Sequence, residues 1–255
     1  GQSAYSGLNA VQMMDEKLSA YLLLNIEPER DAINPAQARR ALDNANFVVC
    51  MTPFVSDAMR EYANVLLPTA PSTETSGTFV NASGRWQRFA AACAPRAETR
   101  PAWKVLRVLG NLFDLSGFEY LSSEEVRAEV ERETNAVSMY NQIDWQCPAS
   151  LGSSDGLVRI ADMPIYGIDN VVRRAASLQN TVHAASEAAA MNAATAGQQG
   201  ISDASRIVLS QSDDEVSVEW VIDESVPNNC VMLAASTAAS SQLGVPYHAV
   251  TLTKD

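Results

Sequence analysis

No two of the four cysteines stand in a C-x-x-C arrangement; Cys50, Cys93, Cys147 and Cys230 are scattered along 255 residues. Zinc ribbons and iron–sulfur clusters draw on closely spaced thiolates, so neither has a local ligand set here, and reduced thiols are expected. Histidine is scarcer still: His183 and His248 lie far apart without a ligand pattern beside either, and both are expected on the surface. Basic residues are outnumbered, 18 Lys and Arg against 30 Asp and Glu, for a net charge of −12. A surface of that sign repels nucleic acid and anionic lipid, and the pairs Arg39-Arg40 and Arg173-Arg174 are too few to track phosphates. Long apolar runs are missing too, since none approaches the ~18 residues of a membrane-spanning helix. Also lacking are G-x-G-x-x-G, a Walker A loop and a G-x-S-x-G elbow. Gly152-Ser153-Ser154-Asp155-Gly156 has the letters of a nucleophile loop but not the strand-to-helix context, and reads as a linker.

What is present is an ordinary globular balance, 47% hydrophobic and 19% charged, in a chain long enough for one large or two ordinary domains. Gly1-Gln2-Ser3-Ala4-Tyr5 has neither an initiator Met nor a basic-then-apolar leader, so a piece of a longer protein is expected. Residues 21–26 and 47–51 are continuous apolar runs, as expected of strands covered on both faces. Between them Asn34 offers a cap and Pro35 a first turn for a helix over 36–44. Ser56-Asp57 caps a second helix over 58–62, and residues 64–67 give a third strand stopped by Pro68. Strands alternating with short helices predict a doubly wound, largely parallel α/β sheet.

Trp103, Leu106, Leu109, Leu112 and Phe113 share one helical face over 101–113, and Ser122-Ser123-Glu124-Glu125 opens an acidic helix. A polar, turn-rich stretch over 147–156 predicts a boundary, giving an α/β domain over 1–150 and a smaller β-barrel-like domain over 155–255. In the second part, period-2 alternation over 206–210 and 215–223 around Asp213-Asp214 predicts a hairpin, with further strands over 230–233 and 249–253. The alanine-rich stretch 184–196 reads as a weak helix or a mobile linker, with low bulk favouring mobility.

The most informative segment joins Ala63-Asn64-Val65-Leu66-Leu67-Pro68 to Glu74-Thr75-Ser76-Gly77-Thr78-Phe79-Val80-Asn81-Ala82-Ser83-Gly84-Arg85-Trp86-Gln87. It resembles the A-D-V-x-L-P and E-x-x-G-T-F-x-N-x-E-G-R-x-Q marks of the molybdopterin oxidoreductase superfamily. Its wording, with Leu67-Pro68-Thr69-Ala70-Pro71, resembles the large iron–sulfur subunit of respiratory complex I, which keeps this fold without molybdenum chemistry. That resemblance implies the C-terminal structural part of an NADH–quinone oxidoreductase subunit, non-catalytic by itself. It implies no cofactor in this portion, with 4Fe-4S and 2Fe-2S clusters in the N-terminal region of the full-length subunit. Partners implied are that cluster-bearing part and other peripheral-arm subunits, at the cytoplasmic face of a bacterial inner membrane, with no nucleic acid and no membrane insertion. The alternative it leaves open is the cofactor-binding half of a catalytic molybdopterin oxidoreductase such as a formate dehydrogenase. A non-enzymatic small-anion binding module is a second alternative.

Further on, Met191-Asn192-Ala193-Ala194-Thr195-Ala196 and Val226-Pro227-Asn228-Asn229 resemble marks of the superfamily's double-psi barrel. Ala193 stands for the usual proline, Thr195 for an aspartate, and Ala204 and Asn229 for glycines, so the architecture is expected without its cofactor face. No catalytic residue and no metal ligand is assigned. Vestigial-site candidates are Asn25 and Glu27, with Asp31, at the end of the first strand where open α/β sheets bind ligands, although a solvated, partner-facing edge is favoured there. Glu74 and Arg85 complete the set as a pair bracketing a glycine loop, either gripping a pterin or, as favoured, fixing the loop as an ion pair. Gly77 and Gly84 are expected to supply positive φ or close backbone approach.

Overall fold

The computed structural model describes residues 7–16, 18–135, 146–147 and 156–255. The expected boundary over 147–156 falls almost wholly outside them. β1 (Ala20–Leu24), β2 (Phe47–Thr52) and β3 (Val65–Pro68) form a parallel sheet in the order β1-β2-β3. Its helices start where local chemistry starts them. In α1 (Ala10–Asp15) Asn9 and Gln12 make a reciprocal capping box. α2 (Pro28–Asp31) and α3 (Pro35–Asp43) both begin with proline, and Asn34 Oδ1 accepts from the Gln37 N–H at 3.1 Å. α4 (Asp57–Tyr62) is capped by Ser56, whose Oγ accepts from the Met59 N–H.

These helices cover one face of the sheet. Tyr21, Leu23, Val48 and Cys50 bury against Leu42, Met59 and Tyr62. On the other face Leu22 is 53% exposed and Leu24 43%, while Met51, in register with Leu24, is 0% exposed. The expectation of strands covered on both faces is therefore corrected for β1: within the described residues one apolar face of that edge strand is bare, while β2 is covered there at Met51. Alternation was unreadable because both faces carry large aliphatic side chains.

After β3 a ribbon of β4 (Gly77–Val80) and β5 (Trp86–Phe89) folds over. Gly84 turns it at φ 73°, and a Cβ on Gly77 would lie 2.8 Å from the Phe89 ring, so one glycine supplies the turn and the other the close approach. α5 (Ala102–Leu112) and α6 (Ser123–Thr134) follow, the latter capped by Ser122. Among the described residues no helix is long and apolar enough to cross a membrane.

The remaining strands make one curled sheet: β6 (Val158–Ile160), β7 (Ala189–Met191), β8 (Arg206–Gln211), β9 (Asp214–Ile222), β10 (Cys230–Met232) and β11 (Thr251–Lys254), ordered β11-β8-β9-β7-β10-β6. Its two edges meet, because Val158 of β6 bridges Ala249 just before β11 and Val250 N–H donates to Leu157 O at 2.9 Å. Meeting edges leave fewer unpaired backbone groups. Ile207, Leu209, Val216, Val218 and Val231 fill the interior, which forms a second core distinct from the first. The β8–β9 hairpin turns at Ser212-Asp213, one residue earlier than its alternation predicts, with Ser212 at φ 55°.

The alanine-rich stretch is corrected over 189–191, while its last residues, 193–196, are helical as one of its two readings expected. Ala189, Ala190 and Met191 are β7, a buried central strand between β9 and β10, and Asn192 then caps α8 (Ala193–Gln198). Low bulk there is a packing requirement: Ala189 and Met191 are 0% exposed in the middle of the sheet. α7 (Ala176–Gln179) and the 3-10 turn Val172–Arg174 connect β6 to β7 and carry the arginine pair toward the first sheet.

Candidate functional site: a crevice closed by ion pairs

The C-terminal ends of β1, β2 and β3 open toward the curled sheet, and a polar cavity of about 340 Å³ lies there. Asn25 leaves β1 at φ 53°, and its Oδ1 accepts from Thr69 Oγ1 at 3.0 Å across the sheet. Asparagine tolerates this left-handed backbone better than a branched residue would. Two residues on, Glu27 is 3% exposed and faces both arginines of the Val172–Arg174 turn. Arg174 Nη1 donates to Glu27 Oε1 at 2.7 Å, and Arg173 Nη1 lies 3.4 Å from Oε2. Arg173 also pairs with Asp31, whose other oxygen accepts from the Glu27 N–H at 2.8 Å. The guanidinium of Arg174 stacks 4.8 Å above the Phe54 ring and that of Arg173 donates to Gly167 O. Arg30 Nη1 reaches Ser236 O at 2.9 Å, tying the same crevice to the curled sheet.

Behind this cluster sits Glu29, 9% exposed, accepting from Ser56 Oγ at 2.6 Å and Tyr62 OH at 3.1 Å. Burial, then the Glu29 carboxylate, pushes the Tyr62 phenol well above its ordinary value. Burial first and Glu29 second push the Cys50 thiol up to about 11, so it stays a neutral thiol rather than a nucleophile.

Sequence and structure part company over the candidates. Asn25, Glu27 and Asp31 do converge, but Glu27 is buried and paired rather than lying on a solvated edge. Glu74 and Arg85 make no ion pair with each other among the described residues. Glu74 Oε2 instead accepts from the Arg96 N–H at 2.9 Å, and Arg85 is exposed beside the Asn81 turn that its N–H closes. The expected ion pair is therefore replaced by two local backbone contacts. His183 and His248 are exposed, as expected. Missed were Ser56, Tyr62 and the role of Arg173-Arg174; the adjacent arginines were visible, but partners more than a hundred residues away carry no local signal.

A phosphate-bearing cofactor needs unspent donors, and here most are spent, Arg30 being the cation of the lining that bonds a carbonyl rather than a carboxylate. Arg173 and Arg174 are held by carboxylates, the Gln179 amide donates to Tyr166 O and Val172 O, and Glu27, Glu29 and Asp31 add negative charge. As arranged, these residues do not fit an anionic pterin dinucleotide. They fit a closure between two halves of the molecule.

Residues 2–112 match the family model described as molybdopterin oxidoreductase. A Staphylococcus aureus (strain bovine RF122 / ET3-1) protein named "Putative formate dehydrogenase" is 34% identical over 121 residues, covering 44% of this chain and 12% of that protein. Its counterpart in strain USA300 is 31% identical over the same length. The matched region thus spans about an eighth of these curated relatives, 12% of their length. Acetylene hydratase from Pelobacter acetylenicus superposes with a TM-score of 0.61 at 14% identity, covering 89% of this chain and 39% of that one. At that identity the likeness is one of fold.

Proposed function

We propose that this chain is a portion of an oxidoreductase of the molybdopterin kind, nearer to formate-dehydrogenase-like proteins than to a complex I subunit. The match of residues 2–112, together with the S. aureus relatives, carries that reading. Within such a protein this portion acts as a frame: the Glu27–Arg173–Arg174 closure fixes the curled sheet against the strand ends and keeps water from the seam. The experiment is metal and pterin analysis of the intact protein with whatever subunits purify with it, followed by formate oxidation with a dye acceptor. Molybdenum or tungsten with pterin, and formate-dependent dye reduction, are expected. Their absence in a fully folded, intact preparation would overturn the reading.

The closed crevice favours a second reading, the complex I large iron–sulfur subunit, in which this portion is scaffold and holds no pterin. For that reading the same preparation would contain iron–sulfur clusters without pterin and would pass electrons from NADH to quinone.

A further inference from the structure

One buried charge lies outside the closure just described. Arg159, the middle residue of β6, is 2% exposed, yet among the described residues it has no carboxylate within ion-pair reach. Its side chain makes one hydrogen bond, Nη2 to Gly244 O at 2.6 Å, and Nε is buried with no acceptor. The backbone is pinned on both sides, since its N–H donates to His248 O at 3.1 Å and its carbonyl accepts from the Tyr247 N–H at 2.7 Å. The guanidinium therefore cannot swing out to water with its strand. Burial works against its charged form, but arginine keeps its proton in proteins. A buried, unpaired cation is costly unless an anion meets it.

Arg159 lines a cavity of about 230 Å³ between the two halves. Pro35 and Pro246 give it apolar walls, Ile33 and Met163, 60% and 52% exposed, form its rim, and Arg30, whose Nη1 donates to Ser236 O, adds a second cation. The carboxylate in the lining, Asp31, is committed on both oxygens, to Arg173 and to the Glu27 N–H. An apolar-rimmed cavity with a fixed guanidinium is complementary to a short-chain carboxylate, with its charge on the arginine and its alkyl body against the rim. We propose that this cavity binds a small organic monocarboxylate, its head on Arg159 and its tail between Ile33, Met163 and Pro246. Inorganic phosphate would leave the apolar walls unused, and formate would have no tail to place there.

Calorimetric or ligand-observed NMR titration of the intact chain with formate, acetate, propionate, butyrate and inorganic phosphate, at constant ionic strength, tests this. Saturable binding that tightens from formate to butyrate is expected, with phosphate weaker than butyrate. Arg159→Met should weaken butyrate on the order of tenfold or more, as loss of a charged hydrogen-bond donor does. Met163→Trp keeps the guanidinium but narrows the chamber, so it should weaken butyrate even if the first variant folds poorly. Absence of saturable binding, phosphate binding as well as butyrate, or affinity unchanged in both variants would each overturn the site. So would an Arg159→Met chain that is less stable than wild type while wild type shows no response to butyrate, because the guanidinium would then be only a strap to Gly244.

Discussion

Glu29 forms no ion pair among the described residues; two hydroxyls, from Ser56 and Tyr62, are what it accepts from. Its charge is felt by its neighbours, and that gives a test at the level of one side chain. The Cys50 thiol, 0% exposed, is raised from its ordinary 9.0 to about 11. Between those values the folded chain keeps a proton that the unfolded chain has released. Stability from this group is complete below the lower value and falls as pH rises through the window, by about 1.4 kcal/mol per unit. Urea unfolding followed from neutral pH into that window should show the loss, and Cys50→Ala should flatten the slope by one proton's share. An unchanged slope would mean that the thiol is not held neutral. The larger cause, burial, was legible in the apolar run over 47–51; the smaller one was not, because the Glu29 carboxylate comes from another turn of chain.

Among the elements, the caps were the most legible. Asn34, Ser56 and Ser122 each bond a backbone N–H three residues on, and a contact that local is written in the letters themselves. β7 was illegible for the opposite reason. Ala-Ala-Met has neither alternation nor β-branching, and its place in the sheet comes from long-range pairing with β9 and β10. Asn192 marks the point where the two kinds of information meet. Its Oδ1 caps α8 through the Thr195 N–H at 2.7 Å, while Nδ2 donates to Val226 O at 2.9 Å and Asn228 Oδ1 at 2.8 Å. Asn192→Ala removes a cap and leaves buried groups unpartnered, so a loss of about 2 kcal/mol or more is expected from chemical denaturation. A change within a few tenths of a kcal/mol would show that water replaces those bonds without cost.

Among its described residues the molecule has two cores and a seam. The fold class was readable because strand-length apolar runs punctuated by Pro35 and Pro68 leave few other arrangements for the first half. The seam was not, because Glu27 and Arg173 look like unrelated surface charges until the chain brings them together. Replacing both arginines, Arg173→Met with Arg174→Met, leaves Glu27 buried without a cation, which costs about 3–5 kcal/mol. Scanning calorimetry should then resolve two separate heat-absorption peaks, with the wild-type chain giving one merged transition. A single unshifted peak in the variant would mean that the halves are joined elsewhere.

The meeting of Val158 with Ala249 has a temporal consequence. Ribosomes and refolding chains encounter β1, β2 and β3 within some fifty residues of one another, Ala20 to Pro68, whereas the curled sheet cannot join its edges until segments far apart in the chain have found each other. Long loops are slow to close, so the parallel sheet forms early and the curled sheet last. During that interval β6, Arg159 included, waits with one edge open to solvent.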